Sequence, residues 1–125
     1  MFIYQNVLTL SFIGTLGYRL REKIQNGALP EQEIEVLRIM EYIKINLDES
    51  LSLPELAAFF NMSVSTLNRR FAKVLGTTVM QYVLQCRLEK ARRLLEDGKL
   101  SKADIAAECG FYDSAHMNKY LHKGI

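Results

Sequence analysis

Apolar residues recur every three or four positions along the chain from Glu33 onward, and no segment sustains an alternation of apolar and polar residues. The first stripe of this kind consists of Ile34, Leu37, Met40, Ile43 and Leu47. A spacing of three and four is typical of amphipathic helices, whereas a spacing of two is typical of half-buried strands. The pattern therefore predicts an all-α fold for residues 31–125.

The first 30 residues form a separate segment. Gly27 and Pro30 interrupt any helix that the preceding residues form, so we expect an N-terminal helix followed by a linker. The opening stretch MFIYQNVLTLSFIGTLG is apolar, but it is shorter than the roughly 20 residues that span a bilayer, and it lacks a basic start. We interpret it as neither a signal peptide nor a membrane anchor. Residues 1–28 instead favour packing against another domain or against a second copy of the chain, as a homodimer.

A helix-turn-helix unit is predicted over residues 52–75. Ser52 followed by Glu55 forms a capping box, because each side chain can bond a free amide at the helix start. Asn61 tolerates the left-handed backbone of a tight turn, and Ser63 can cap the next helix. These signals predict a short helix, a turn and a second helix.

The same arrangement recurs over residues 101–123. Ser101 lies 49 residues after the cap Ser52, and the Ala-Ala dipeptide of the first unit recurs with the same offset. Gly110 occupies the turn of the second unit. After the turn the offset becomes 50, which pairs Leu67 with Met117. Coincident caps, small residues and turn residues favour a duplicated unit over a chance likeness of two amphipathic segments.

A long helix over residues 78–97 is predicted to join the two units. Thr77 or Thr78 can start it, and Gly98 can end it. Its apolar stripe consists of Val79, Tyr82, Val83, Cys86, Ala91 and Leu94. About 20 residues at 1.5 Å each make a rod of roughly 30 Å. That length is close to the roughly 34 Å between successive major-groove faces on one side of B-DNA.

The second helix of each unit is predicted to carry small and cationic side chains on its outer face. This face consists of Ser65, Arg69, Ala72 and Lys73 in the first unit, and of Ala115, Lys119 and His122 in the second. Small residues allow close approach to a DNA groove, and arginine can bind guanine through two hydrogen bonds. A solvated surface is the simpler explanation for either helix alone, but the repetition of the face favours binding in the major groove.

Charge is distributed unevenly, although the formal net charge is only +2. Residues 1–62 hold five Lys/Arg and eight Asp/Glu, whereas residues 63–125 hold eleven Lys/Arg and six Asp/Glu. Because the basic half contains both second helices, the distribution favours a polyanionic partner.

The two cysteines, Cys86 and Cys109, predict neither a disulfide framework nor a metal site, which favours a reducing cytoplasmic location. A zinc site built from Cys109, His116 and His122 would have a spacing unlike common structural sites. Cys86 lies on the apolar stripe and has no acid-base partner at a suggestive spacing. We therefore expect neither a cofactor nor an enzymatic activity.

The segment from about Glu33 to Ile125 resembles the DNA-binding domain of the AraC/XylS family of bacterial transcription regulators. The resemblance is carried by RLEKARRLL in the connecting helix and by IAAECGFYDSAHMNKYL in the second unit. It implies two helix-turn-helix units joined by a long helix, in a regulator that usually activates transcription from asymmetric sites near promoters. The implied partners are double-stranded DNA and RNA polymerase.

The resemblance, carried over position by position, implies two sets of DNA contacts. The base-reading residues are Ser65, Asn68, Arg69, Ala115, His116, Asn118 and Lys119. The phosphate contacts are Ser63, Thr66, Arg70, Lys73, Arg87, Lys90, Arg93 and Lys123.

The chain departs from the family pattern in three places. A further helix normally follows a glycine near position 124, so we expect the second unit to lack part of its packing. Met117 and Leu121 stand where an aromatic residue is common. Residues 1–28 resemble at most the tail of a regulatory domain. The alternative function is accordingly a truncated regulator that acts by protein contact with a full-length relative.

Overall fold

The structure, a computed structural model, describes residues 31–122. Within them the chain forms six helices and no strand: α1 (Glu31–Ile45), α2 (Leu53–Phe59), α3 (Val64–Leu75), α4 (Val79–Asp97), α5 (Lys102–Glu108) and α6 (Ser114–Leu121). The predicted all-α fold, with two helix-turn-helix units joined by a long helix, is confirmed. The predicted N-terminal helix lies outside the described residues.

Helices α2 to α5 are each capped at their N-terminus by a serine or threonine hydroxyl, and these caps set where the helices start. The Oγ atoms of Ser52, Ser63 and Ser101 each accept a hydrogen bond from the amide three residues later, at 3.1 to 3.2 Å. Thr78 begins α4 with a full capping box, in which the Gln81 side chain accepts from the Thr78 amide. The capping box expected at Ser52 is only half formed, since Ser52 Oγ donates to the Glu55 carboxylate at 2.8 Å.

The two helix-turn-helix units repeat each other in backbone detail. The bounds of α2 and α5 are 49 residues apart, and the starts of α3 and α6 are 50 apart. Each turn is closed by a hydrogen bond of 2.9 Å, from Met62 N to Ala57 O and from Phe111 N to Ala106 O. Asn61 in the first turn and Gly110 in the second both have left-handed backbones, with φ of 57° and 82°. The duplication inferred from the amino-acid sequence is therefore also present in the structure.

Two apolar cores lie on either side of the middle of α4. The first core joins α1, α2, α3 and the start of α4, and its largest fully buried side chains include Phe71, Tyr82 and Ile39. The second core joins the rest of α4 to α5 and α6; it consists of Leu88, Ala91, Ile105, Ala106, Cys109, Phe111 and Met117. The long helix thus supplies one wall of each core, which positions α3 and α6 on a shared support.

The buried stripes were predicted in part. On α1 the buried side chains are Val36, Ile39, Met40 and Ile43, whereas Ile34 and Leu37 are half-buried. On α4 the structure adds Leu88 and Glu89 to the buried set, and Leu94 is half-buried against the second core. Helix α1 packs against α3 and α4, and α4 packs against α1, α3, α5 and α6, so the covered residues of these helices do not form a single stripe.

Glu89 is the one buried charged side chain among the described residues. It is 5% exposed, and its Oε2 atom has no hydrogen-bond partner among the described residues. Burial raises the pKa of the Glu89 carboxyl, an effect that the positive charges of Lys44, Arg93 and Arg92 oppose. The folded protein consequently favours the protonated form more than the unfolded chain does.

Replacing Glu89 by glutamine is expected to stabilise the protein at pH 8. Because folding raises the carboxyl pKa, the contribution of Glu89 is most favourable below its unfolded pKa, about 4.3, and is lost as the pH rises through its folded pKa. The melting temperature of Glu89→Gln relative to the wild type should therefore rise between pH 4 and pH 8. Glu96→Gln, at an exposed position of the same helix, is the control. A lower melting temperature of Glu89→Gln at pH 8 would contradict this account.

Candidate nucleic-acid interface

The outer face of α3 is cationic, exposed and free of carboxylates. Ser65, Arg69 and Lys73 are exposed, while Leu67 and Phe71 are completely buried on the opposite side. The sequence of this helix, VSTLNRRFAKVL, contains three cations and no acid. The predicted division between an inner apolar edge and an outer polar face is therefore found in the structure.

Two other predicted contacts on α3 face the protein more than the solvent. Arg70 is half-buried and forms an ion pair with Glu35 of α1. Asn68 is also half-buried, and its Oδ1 atom is enclosed without a hydrogen-bond partner among the described residues. The guanidinium of Arg70 thus links α3 to α1, and the amide of Asn68 lies at the border of the exposed face.

Helix α6 repeats this arrangement with fewer charges. Ala115, His116 and Lys119 are exposed, Asn118 is half-buried, and Met117 is completely buried. The eight residues of α6, SAHMNKYL, contain no carboxylate. Each predicted base-reading residue consequently occupies an exposed or half-buried position on the second helix of its unit.

His116 also has a structural role that the sequence did not predict. Its amide donates to the Asp113 carboxylate at 2.8 Å, and its Nδ1 accepts from the Tyr112 amide at 3.3 Å. Its ring lies 5.6 Å from the Phe111 ring centroid and 5.3 Å from that of Tyr120. Because Nδ1 is occupied, only the Nε2 edge of His116 is available to a ligand.

The residues expected to contact phosphates occupy three different environments. Ser63 and Thr66 hydrogen-bond to each other through their hydroxyls at 3.0 Å, within the cap of α3. Arg87 donates to the carbonyls of Leu47 and Glu49, and Lys90 donates to the carbonyl of Glu108 at 3.0 Å. Lys73 is exposed and Arg93 is half-buried, whereas Lys123 lies outside the described residues.

Tyr112 was missed by the sequence reasoning. It is 91% exposed and directly precedes Asp113, the N-cap of α6. Single exposed apolar side chains are common on protein surfaces, so its place next to the cap of α6, and not its exposure alone, makes Tyr112 a candidate contact. The available signal was the position of an aromatic residue in the turn between two short helices.

Other features of the described residues concern a zinc site, a reactive cysteine and a membrane-spanning helix. No group of three or more potential metal ligands is found among residues 31–122, and Cys109 is buried while His116 and His122 are exposed. Burial raises the pKa of the Cys86 and Cys109 thiols to about 11, so both are protonated at neutral pH. Among the described helices, none is both long and apolar enough to cross a bilayer.

Comparison with known proteins gives a consistent set of matches. A family model described as a helix-turn-helix domain matches residues 56–124. The HTH-type transcriptional regulator GbdR of Pseudomonas aeruginosa is 38% identical over 85 residues, which cover 68% of this chain and 22% of GbdR. The HTH-type transcriptional activator RhaS of Enterobacter sp. (strain 638) is 32% identical over 114 residues, which cover 91% of this chain and 41% of RhaS.

Solved structures share the fold. The C-terminal domain of AraT, a response regulator from Geobacillus stearothermophilus, matches with a TM-score of 0.71 and 26% identity, covering 77% of this chain and 80% of that domain. The DNA-binding domain of AdpA, solved in complex with a target DNA, matches with a TM-score of 0.67 and 27% identity, covering 71% and 80%. The chain spans less than half the length of the curated relatives GbdR and RhaS.

Proposed function

The chain belongs to the AraC/XylS family of helix-turn-helix proteins, and from this premise we propose that it is a sequence-specific DNA-binding transcription regulator. A single observation carries the proposal: the chain contains two copies of one helix-turn-helix unit, and the second helix of each copy has an exposed face without carboxylates. DNA phosphates repel carboxylates, so acidic side chains are disfavoured on a face that contacts DNA. Acidic side chains are not disfavoured on an ordinary solvated surface.

The two second helices are proposed to enter successive segments of the major groove on one side of a duplex. Helix α4 has 19 residues, so its axis measures roughly 28 Å. Helices α3 and α6 pack near its opposite halves, against the first and the second core. A support of this length suits the roughly 34 Å between successive major-groove faces.

Contacts with the bases are assigned to the exposed faces. Arg69 is the strongest assignment, because a guanidinium can form two parallel hydrogen bonds to guanine, and Ser65 and Ala115 permit close approach. The proposed base-reading set is Ser65, Asn68, Arg69, Ala115, His116, Asn118 and Lys119. Among the phosphate contacts, Lys73 and Arg93 are favoured over Arg70, Arg87 and Lys90, whose side chains bond protein groups.

Activation of transcription through RNA polymerase is proposed for the whole protein, in line with the activator RhaS. Residues 1–28 are proposed to join two copies of the chain, since their apolar character favours burial. No enzymatic activity is proposed, because the relatives GbdR and RhaS are transcription regulators.

Regulation by protein contact alone is the second candidate. It is favoured by the apolar character of residues 1–28, which suits burial against another protein. Selection of bound fragments from random duplexes by the full chain tests the choice. Recovery of a common sequence motif would support DNA recognition, and recovery of unrelated sequences at background level would support the protein-contact function.

Arg69→Ala and Arg93→Ala are expected to weaken DNA binding in different ways. Loss of a bidentate contact should cost about 1 to 3 kcal/mol on the selected site and relax the preference at one base pair. Loss of a phosphate contact should weaken selected and random duplexes alike. Fluorescence anisotropy on both duplexes measures the difference, and Lys99→Gln, an exposed cation outside the proposed sites, is the control. Equal losses on both duplexes for Arg69→Ala would remove Arg69 from the base-reading set.

A further inference from the structure

Arg87 connects the middle of α4 to the loop that follows α1. Its Nε atom donates to the Leu47 carbonyl at 3.2 Å, and its Nη2 atom donates to the Glu49 carbonyl at 2.9 Å. These two bonds link residues 40 and 38 positions apart in the chain. Hydrogen bonds from a charged donor to neutral acceptors are stronger than those between neutral groups, so the two bonds of Arg87 stabilise this contact.

Gly110, in the turn of the second unit, lies against the same two groups, Leu47 O and the Arg87 guanidinium. A Cβ atom at this position would lie 2.1 Å from Leu47 O and 2.6 Å from Arg87 Nε, so the backbone of the turn contacts both groups. Its φ of +82° is also a conformation that L side chains rarely adopt. Three elements meet here: the loop that follows α1, the connecting helix α4 and the turn of the second unit.

The meeting point lies at the border between the two cores. Cys86, the residue before Arg87, belongs to the first core, and Leu88, the residue after it, belongs to the second. The continuous backbone of α4 joins the units, but long helices curve gently, so α4 alone leaves the angle between the units free to vary within that curvature. A second connection away from the helix axis removes this freedom.

We propose that Arg87 and Gly110 form a joint that fixes the orientation of α6 relative to α3, and with it the spacing of the two half-sites that the protein accepts. Arg87 is then a positioning residue and not a phosphate contact. The part of this inference that concerns DNA rests on the proposed function. The part that concerns orientation does not, because the joint is formed within the chain.

The orientation is tested without DNA. Spin labels on Ala72→Cys and Ala115→Cys, both at exposed positions of the second helices, report the separation of the units in the full chain. The native thiols of Cys86 and Cys109 are buried and should label slowly. We expect a single narrow distance distribution, broadened by Arg87→Gln and by Gly110→Ala, and unchanged by Lys102→Gln. Unchanged widths in both joint variants would overturn the proposal.

The spacing is tested on duplexes that carry the two halves of the selected site at separations varied by single base pairs. Arg87→Gln should bind the optimal separation roughly tenfold more weakly, because a flexible connection lowers the effective concentration of the second unit. It should also accept neighbouring separations with less discrimination, while its affinity for the first half alone is unchanged. An unaltered spacing profile would contradict the joint.

The salt dependence separates the joint from a phosphate contact. If Arg87 contacted a phosphate, its loss would reduce the slope of log K against log salt by about 0.9. A positioning residue leaves the slope on the first half-site unchanged. Arg87→Lys keeps the charge without the planar fork; it should resemble Arg87→Gln if the joint is correct, and the wild type if only charge matters. Failure of the wild type to bind any duplex would overturn the proposed function, whereas the label distances would still decide the joint.

Discussion

Raising the salt concentration from 50 to 200 mM is expected to weaken duplex binding by the full chain by roughly 40-fold. Each cation that replaces a counterion at a phosphate steepens the slope of log K against log salt by about 0.9, and about three such contacts give the expected loss. The cations that the structure or the sequence leaves for this role are Lys73, Arg93 and Lys123, since Arg69 and Lys119 are assigned to the bases. Arg70, Arg87 and Lys90 are left out because they bond protein groups.

Fluorescence anisotropy of a labelled duplex over this salt range measures the slope. Lys73→Gln should reduce its magnitude by about 0.9, whereas Lys102→Gln, an exposed cation on α5, should leave it unaltered. Affinity that stays constant across the range would exclude the DNA-binding function and favour regulation by protein contact. A slope near that of about six contacts would instead indicate that DNA breaks the bonds of Arg70, Arg87 and Lys90 and recruits these cations to phosphates.

The helices and their order were predictable because their signals are local. A cap, a left-handed turn residue and an apolar edge each act within a few positions, so Ser63, Asn61 and Gly98 place helix ends without knowledge of the rest of the fold. Duplication strengthened these signals, since a second copy with the same offsets tests the interpretation of the first. The faces of α3 and α6 were predictable for the same reason, because helical periodicity alone separates Leu67 from Arg69.

The partners of individual cations were not predictable, because they lie far away in the sequence. Arg70 pairs with Glu35 at a separation of 35 residues, and Lys90 bonds the Glu108 carbonyl at a separation of 18. A basic residue on a helix surface looks the same in the sequence whether it meets a phosphate or a carbonyl. Only the packing of α4 against the loop after α1 and against the end of α5 distinguishes the two.

Glu89 shows the same limit for burial. A charged residue is expected on the solvent-exposed side of a helix, yet neighbouring helices cover α4 on more than one side, and Glu89 is buried. His116 is a related case, since the resemblance implied a base contact, but the hydrogen bond that its Nδ1 accepts from the Tyr112 amide was not predicted. Periodicity predicts which side a residue faces, and the neighbouring elements decide what it meets there.

Phe71→Ala is expected to destabilise the protein by about 3 to 5 kcal/mol. The Phe71 side chain is 0% exposed, and its ring packs edge to face against Tyr82 with the centroids 5.5 Å apart. Removing the ring leaves a cavity between α3 and α4 that the rigid helices cannot close, and it also removes the aromatic contact. Since α3 carries Arg69, DNA binding should fall together with stability. Urea denaturation followed by circular dichroism measures the free energy of unfolding.

Tyr112→Ala is the matched control, because it removes an aromatic side chain that is 91% exposed and should change the free energy of unfolding by less than about 0.5 kcal/mol. Met117→Ala tests the second core in the same way, with an expected cost of about 2 to 5 kcal/mol, since Met117 is 0% exposed and is the structural counterpart of Leu67. A loss below 1 kcal/mol for Phe71→Ala would contradict the packing of α3 against α4. Because that packing holds the first reading helix on its support, the same result would also weaken the proposed arrangement on DNA.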